Sequence, residues 1–141
     1  MNDMLFDLSP TSADEALLMS WMREYGDALL RTCYLLCGDM RASREVVTAS
    51  FAAAYADMRF SHGGPSALAC LLRLAFDRCP CRGSGAARGV PLAKLPPPER
   101  KAALLCLYHG LTAEEAAWVM RTSPADAQKR LARAEALLES L

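Results

Sequence analysis

Apolar residues recur at helical spacing through most of the chain. Over residues 13–37 they fall three or four residues apart, which predicts one long helix, or two helices that meet at Gly26. The same spacing predicts a second helix over 41–58 and a third over 66–78, which Pro80 stops. No segment alternates with the period of two that is typical of strands, so the predicted fold class is all-α.

A glycine-rich segment, residues 81–91, interrupts this helical pattern. It contains mostly small residues and shows neither helical nor strand periodicity, as is typical of flexible linkers. The sequence therefore predicts two small helical units joined by a linker. The N-terminal unit covers residues 12–80, and the C-terminal unit covers residues 92–141.

Turn signals divide the C-terminal unit into three helices. The three prolines at 96–98 lack the amide donor that a helix interior needs, so we place them before or at the opening of a first helix over 99–109. Gly110 follows as a residue that suits the end of a helix. Thr112 and Glu115 have the spacing of a capping box, which predicts the start of the second helix.

The third helix is predicted to begin after a three-residue turn, 121–123. Ser123 is the expected cap, Pro124 occupies the first helical position, and Asp126 supplies an acid at the third position. This order predicts a helix-turn-helix, whose last helix would enter the major groove of DNA. On spacing alone, a protein-binding module with a basic last helix remains an alternative. The basic residues of that helix are Lys129, Arg130 and Arg133.

Charge is unevenly distributed along the chain although the formal net charge is zero. Residues 1–60 contain nine acids and five arginines, a net charge of −4, whereas residues 61–141 contain seven acids and eleven bases, a net charge of +4. A basic C-terminal half favours an anionic partner for that half. On charge alone, ordinary scatter of surface residues explains the asymmetry equally well.

The cysteines and histidines do not form the pattern of a catalytic or metal site. Of the six cysteines, Cys79 and Cys81 are the one tight pair, and no second pair or histidine follows at zinc spacing. We expect His62 and His109 to lie at a turn and at a helix end, each without a partner. We therefore predict no metal, no cofactor and no enzymatic activity.

The sequence does not predict a membrane segment. Charged residues interrupt every apolar run before the ~18 residues that a membrane-spanning helix needs. The N-terminal residues are acidic and lack the basic and apolar segments of a signal peptide. We therefore expect the protein to reside in the cytoplasm.

The C-terminal unit resembles region 4 of the sigma-70 superfamily, in the extracytoplasmic-function group. The family pattern there is a Leu-Pro step, an acidic-Arg step, a Leu-rich helix, a Gly-Leu-Ser/Thr turn and two further helices, the last of them basic. The residues of this chain that match the pattern occur in the same order: Leu95-Pro96, Glu99-Arg100, Gly110-Leu111-Thr112, Glu115-Ala116-Ala117, Ser123, Arg130-Leu131 and Arg133-Ala134.

The N-terminal unit resembles region 2 of the same family. The likeness consists of a helix that ends in a Gly-Asp turn, a helix with an acidic-Val-Val step and two aromatic residues, and a Leu-rich segment. These segments are Tyr25-Gly26 through Gly38-Asp39, Glu45-Val46-Val47 with Phe51 to Tyr55, and Leu71 to Asp77.

The resemblance implies a sigma-like transcription initiation factor that binds core RNA polymerase and promoter DNA. An anti-sigma factor is a further candidate partner. The residues implied in polymerase binding are Glu45, Val46, Phe51 and Tyr55. The residues implied in DNA binding are Arg121, Ser123, Gln128, Lys129, Arg130 and Arg133. Among these, Gln128 is suited to read adenine through its amide.

Departures from the family pattern leave a second hypothesis open. Asp77 stands where the family has Asn, Asp126 stands where it has Thr, and the usually acidic helix of region 2 keeps only Glu45. The residues available for promoter melting are few: Arg59, Phe60 and His62. The alternative is a degenerate sigma-like regulator that acts through contacts with a sigma factor, an anti-sigma factor or polymerase, without promoter melting.

Overall fold

A computed structural model of the chain describes residues 12–56, 66–81 and 90–141. Over these residues the fold is all-α, which confirms the predicted class. The helices in chain order are α1 (Ser12–Cys37), α2 (Met40–Ala56), α3 (Ala67–Arg78), α4 (Pro97–Ala103), α5 (Ala113–Met120) and α6 (Pro124–Glu139). A 3₁₀ turn at Pro91–Lys94 precedes α4, and a π-helical turn at Leu104–Tyr108 continues it.

Several predicted features lie outside the described residues. These are most of the linker, the last residues of the predicted second helix and the residues considered for promoter melting: 82–89, 57–58, Arg59, Phe60 and His62.

The first helix is continuous rather than divided into two. Gly26 lies within α1, and no atom lies close to the position that its Cβ would take, so packing does not require a glycine there. Gly38 ends the helix with a φ of 73°, a left-handed conformation that glycine adopts without steric cost. Its amide donates to the Tyr34 carbonyl at 2.7 Å. The predicted Gly-Asp end of α1 is thereby confirmed.

α2 and α3 pack against α1 through their apolar faces. On α2 the buried residues recur three, four or one positions apart, which places them on one face: Ser43, Val46, Ser50, Phe51 and Ala54. α3 begins where Ser66 Oγ accepts a hydrogen bond from the Ala69 amide at 3.2 Å. Leu71 and Leu72 on α3 are fully buried. These three helices lie within the range predicted as the N-terminal unit.

The two predicted units pack on each other. The main hydrophobic cluster contains Leu29 and Leu72 from the first unit and Leu104 and Val119 from the second, and these side chains are at most 1% exposed. The contact surface runs between α1 and α3 on one side and α4, the π-helical turn with its following residue His109, and α5 on the other. We call this surface the seam. It fixes the orientation of the helix-turn-helix relative to α1 and α3.

A fully buried arginine crosses the seam. Arg100 on α4 donates from Nη1 to the Leu36 carbonyl at 3.0 Å, and from Nε and Nη2 to the Leu95 carbonyl at 3.1 and 2.8 Å. The Leu36 carbonyl belongs to the last turn of α1, where carbonyls have no intrahelical donor and the helix dipole favours a cation. The second unit thus supplies a hydrogen-bond donor that completes the C-terminus of α1.

The prediction that His109 has no partner is wrong. Its Nε2 lies 2.7 Å from Thr32 Oγ1 on α1, across the seam. Because the Thr32 hydroxyl donates its one proton to the Ala28 carbonyl at 2.8 Å, Nε2–H is the donor to Thr32. Burial lowers the pKa of His109 to about 4, so the ring is neutral at pH 7. Local spacing gave no sign of this contact because the two residues are 77 positions apart.

Candidate nucleic-acid interface

Caps on both sides fix the turn that precedes α6. At the start of α5, Thr112 Oγ1 accepts from the Glu115 amide at 3.1 Å, and Glu115 Oε1 accepts from the Thr112 amide at 3.0 Å. α5 ends at Arg121, whose φ of 58° is uncommon for a residue other than glycine. Ser123 Oγ then accepts from the Asp126 amide at 3.1 Å and starts α6. The predicted capping box, turn and cap are thereby confirmed.

α6 has a buried face and an exposed face. Ala127 and Ala134 are buried and lie two turns apart, and their small side chains let α6 approach α4 and α5. Gln128 and Lys129 are exposed. Because the helix after the turn is the one that enters a groove in a helix-turn-helix, these two side chains are available for contacts with bases or phosphates.

Arg121, another predicted DNA contact, pairs with an acid of the first unit. Its Nε donates to Asp77 Oδ1 at 3.1 Å, and its Nη2 donates to Asp77 Oδ2 at 2.7 Å. This bidentate geometry is the one in which a guanidinium binds either a carboxylate or a phosphate. The two hydrogen bonds from Arg121 hold the pKa of Asp77 below its usual value, so the carboxylate is ionised at neutral pH.

Arg130 is also bound by an acid. Its Nη2 lies 2.8 Å from Asp126 Oδ2, one turn earlier on α6, and its side chain is only 26% exposed. The same Oδ2 accepts a hydrogen bond from Thr122 Oγ1 at 2.7 Å. The Asp126 amide therefore takes part in the predicted cap, whereas its carboxylate holds Thr122 and Arg130.

The remaining predicted DNA contacts differ in how strongly they are held. Arg133 Nη1 lies 3.9 Å from Glu99 Oε2 on α4, too far for a hydrogen bond, and the Arg133 side chain is 69% exposed. Ser123 is exposed, but its hydroxyl oxygen accepts the capping hydrogen bond of α6. Acids of this chain thus bind two of the predicted residues, Arg121 and Arg130. Of the residues on α6 that are predicted to contact DNA, Gln128, Lys129 and Arg133 are exposed.

Comparisons with known proteins agree with this geometry. Residues 92–138 match the family described as sigma-70, region 4. The C-terminal unit is therefore similar to region 4 of the sigma-70 family. The whole fold is similar to that of CnrH, in a structure of CnrH in complex with the cytosolic domain of CnrY. The two chains are 22% identical, the TM-score is 0.71, and the match covers 89% of this chain and 87% of that chain. A comparison with curated protein sequences finds no match.

The predicted resemblance of the C-terminal unit to region 4 of the sigma-70 superfamily is confirmed by the family match. The family match covers the helix-turn-helix, which is therefore similar to region 4. The similarity of fold extends over α1 to α3, the helices that the sequence analysis compares with region 2.

Of the four residues predicted to bind polymerase, two are buried. Val46 and Phe51 are 7% and 5% exposed and belong to the main hydrophobic cluster. Glu45 is exposed, and its Oε1 lies 3.7 Å from Nε of Arg41, one turn earlier on α2. Tyr55 is half-buried near the end of α2. A partner bound on this helix would therefore meet Glu45 and Tyr55 directly, whereas Val46 and Phe51 hold the helix in place.

An apolar groove lies beside these residues, between α1 and α2. Its volume is about 540 Å³, and most of its lining side chains are apolar, with Arg44 as the charged one. Met22 in this groove is 49% exposed. A groove of this kind suits the apolar face of a partner helix.

Asp77 is a residue beside this interface whose contact the sequence analysis missed. Its departure from the family Asn is visible in the sequence, but its partner Arg121 lies 44 residues away. A second contact joins the same two helices, since Arg73 Cζ lies 4.3 Å from the ring centroid of Trp118. The sequence places Arg73 and Asp77 one helical turn apart on α3, but it does not indicate which residues of α5 contact them.

Neither a metal site nor a membrane span is found among the described residues. In residues 12–56, 66–81 and 90–141, no group of three or more His, Cys, Asp or Glu side chains could hold a metal ion. None of the helices in these ranges is long and apolar enough to cross a membrane.

Proposed function

We propose that this protein is a sigma-like transcription initiation factor that directs core RNA polymerase to promoter DNA. The observation that carries the proposal is a region 4 whose last helix presents Gln128 and Lys129 to solvent immediately after a capped turn. The amide of a glutamine can pair with adenine N6 and N7 in the major groove, and a lysine can bind phosphate. We assign base contact to Gln128 and phosphate contact to Lys129 and Arg133.

Ser123, Arg121 and Arg130, the other predicted DNA residues, would also contact phosphate, although each has a partner within the protein. Ser123 places its amide near the N-terminus of α6, where backbone donors and the helix dipole favour a phosphate. Arg121 and Arg130 are held by carboxylates, and they would reach phosphate by exchanging one anion for another.

For the polymerase, we propose the face of α2 with the adjoining groove. Glu45 and Tyr55 are accessible there, and the groove offers apolar surface to a helix of the partner. The related fold of CnrH is described in complex with the cytosolic domain of CnrY. That likeness supports an anti-sigma factor as a further partner of this chain. A protein with these partners would act in the cytoplasm.

A charge reversal at Lys129 tests the DNA-binding part of the proposal. Lys129 is exposed, so Lys129→Glu should leave the fold intact and weaken binding to promoter fragments by about tenfold. The slope of log affinity against log salt concentration should also become smaller by about one, as expected for the loss of one phosphate contact. Fluorescence anisotropy on the full chain measures both quantities.

Lys94→Glu is the matched control for this variant, because Lys94 is exposed and lies in the 3₁₀ turn rather than in region 4's last helix. We expect its affinity for DNA to stay close to that of the wild type. If Lys129→Glu binds DNA as the wild type does, α6 is not the DNA-binding helix.

A regulator that acts through protein contacts is the second candidate function. Acids of this chain bind Arg121 and Arg130, which lowers the positive charge that the helix-turn-helix offers to DNA. For this candidate the wild-type protein would recover a sigma factor, an anti-sigma factor or polymerase in a pull-down and would show no affinity for DNA. Recovery of core polymerase together with promoter DNA would contradict it.

A further inference from the structure

We propose that Asp77 competes with DNA phosphate for Arg121 and thereby limits the affinity of the helix-turn-helix for DNA. This inference rests on the proposed function, because it concerns the DNA-binding residues of region 4. It gives Asp77, a residue of the first unit, a role in regulating the second.

The geometry of the pair is that of a phosphate contact. Arg121 presents Nε and Nη2 to the two oxygens of Asp77, and this edge of the guanidinium can bind the two oxygens of a phosphate in the same way. Because the same two donors serve either anion, a phosphate contact by this edge requires that Asp77 be displaced.

The pair is also accessible to a competing anion. The side chains of Arg121 and Asp77 are 55% and 36% exposed, so the pair lies at the outer rim of the seam. At such an exposed site an ion pair contributes little to stability and can be exchanged. Asp77 can therefore be displaced without opening the buried part of the seam.

Asp77 offsets a cluster of positive charge. Besides Arg121, the guanidinium groups of Arg73 and Arg78 act electrostatically on this carboxylate. Loss of the Asp77 charge would leave these cations without this counter-charge, and a phosphate is an anion that could replace it. The carboxylate thus occupies a place that suits a segment of the DNA backbone.

A second contact keeps the turn in position. Arg73 Cζ lies 4.3 Å from the ring centroid of Trp118, a cation–π geometry between α3 and α5. Arg73 and Asp77 are one turn apart on α3, and Trp118 and Arg121 are three residues apart at the end of α5. The Trp118 contact should hold the two helices together when Asp77 is replaced.

The pair stays closed at neutral and mildly acidic pH. Since Arg121 lowers the pKa of Asp77, the carboxylate keeps its charge below the pH at which a free aspartic acid would be half protonated. The cations that face it are those of Arg121, Arg73 and Arg78, and arginine does not lose its proton over this range. Competition by phosphate, rather than protonation, is the means of release.

The experiment is a double-mutant cycle on the full chain, with Asp77→Asn, Arg121→Gln and the double variant. We measure binding to promoter fragments by fluorescence anisotropy at several salt concentrations. Asn keeps the size of Asp and is the family residue at this position. We expect Asp77→Asn to bind DNA roughly two- to fivefold more tightly, as fits the release of one exposed ion pair. In the Arg121→Gln background the same substitution should give no gain.

Asp27→Asn is the matched control, because it removes one exposed negative charge from α1 without touching Arg121. If Asp27→Asn gives the same gain, or if the gain persists without Arg121, the effect is one of net charge and the proposal is overturned. Equal affinity of Asp77→Asn and wild type also overturns it while the proposed function stands, provided that Lys129→Glu weakens binding. If wild type and all variants fail to bind DNA, the proposed function itself fails.

Discussion

The inner and outer ends of the seam are held by different chemistry. At the inner end, Arg100 is fully buried and donates to backbone carbonyls, and His109 donates to Thr32. At the outer end, Arg121 and Asp77 form an exposed, charged pair. A buried polar group that loses its partner costs far more than an exposed one, because water cannot replace the partner. The inner contacts should therefore hold the units together, while the outer pair is free to exchange anions.

The two arginines of this comparison also differ in what they bind. Arg100 ends a helix by capping its carbonyls, a role that phosphate cannot compete for. Arg121 binds a carboxylate, which has the charge and the bidentate geometry of a phosphate. Hence we expect substitutions at Arg100 to change the free energy of unfolding, and substitutions at Asp77 to change DNA affinity.

The largest effect should follow from Arg100→Met. Methionine roughly fills the space but cannot donate to the Leu36 and Leu95 carbonyls, so we expect a loss of about 3 kcal/mol in the free energy of unfolding. Urea unfolding followed by circular dichroism measures this. Lys94→Met, at an exposed position, is the control and should change stability by less than about 0.5 kcal/mol. If Arg100→Met and the wild type are equally stable, the hydrogen bonds of Arg100 do not hold the two units together.

A smaller effect should appear as a pH dependence at the inner end. The folded-state pKa of His109 is lowered to about 4, below its unfolded value, so the unfolded chain binds the proton more readily. The free energy of unfolding should be highest above about pH 6.5 and should fall by about 1 to 3 kcal/mol as the pH drops toward 4. Urea titrations at several pH values test this.

The control for that prediction is His109→Gln, which has no imidazole to protonate. Its stability should stay nearly constant between pH 6.5 and about 5.5, above the range in which most carboxylates titrate. If the free energy of unfolding of the wild type is equally constant over this interval, His109 is not buried in the neutral form. The role assigned to His109 at the inner end of the seam is then wrong.

The smallest effect on stability is expected at the outer end. Asp77→Asn breaks an exposed pair, and exposed pairs contribute little, so its urea midpoint should lie close to that of the wild type. If Asp77→Asn leaves stability unchanged and increases DNA affinity, the outer pair affects DNA binding and the inner contacts affect stability. A loss of stability as large as that of Arg100→Met would show that the outer pair is structural.

Sequence reasoning succeeded where the signal is local. Gly110 has the expected positive φ of 72°, and the caps of Thr112 and Ser123 involve residues three positions apart. Such features depend on backbone donors and on short side chains, and a few residues suffice to specify them. The helices, the turn and the family resemblance were all predictable on this basis.

The seam was not predictable because its contacts join distant residues. Arg100 is an arginine, a residue that is mostly exposed, and its buried position depends on the end of α1, 64 positions away. Asp77 and Arg121 are both ordinary surface residues until the fold brings them together. The sequence identified Arg121 as a DNA contact and Asp77 as a departure from the family, but it gave no reason to connect them.

Transcription by purified core RNA polymerase from a library of promoter fragments is the most direct test of the central claim. Addition of the wild-type protein should produce transcripts from a defined set of promoters. Lys129→Glu should lower their yield by about tenfold at limiting protein concentration, whereas Lys94→Glu should leave it unchanged. Binding of the protein to polymerase without any promoter-specific transcript would contradict the initiation function and favour a regulator that acts through protein contacts.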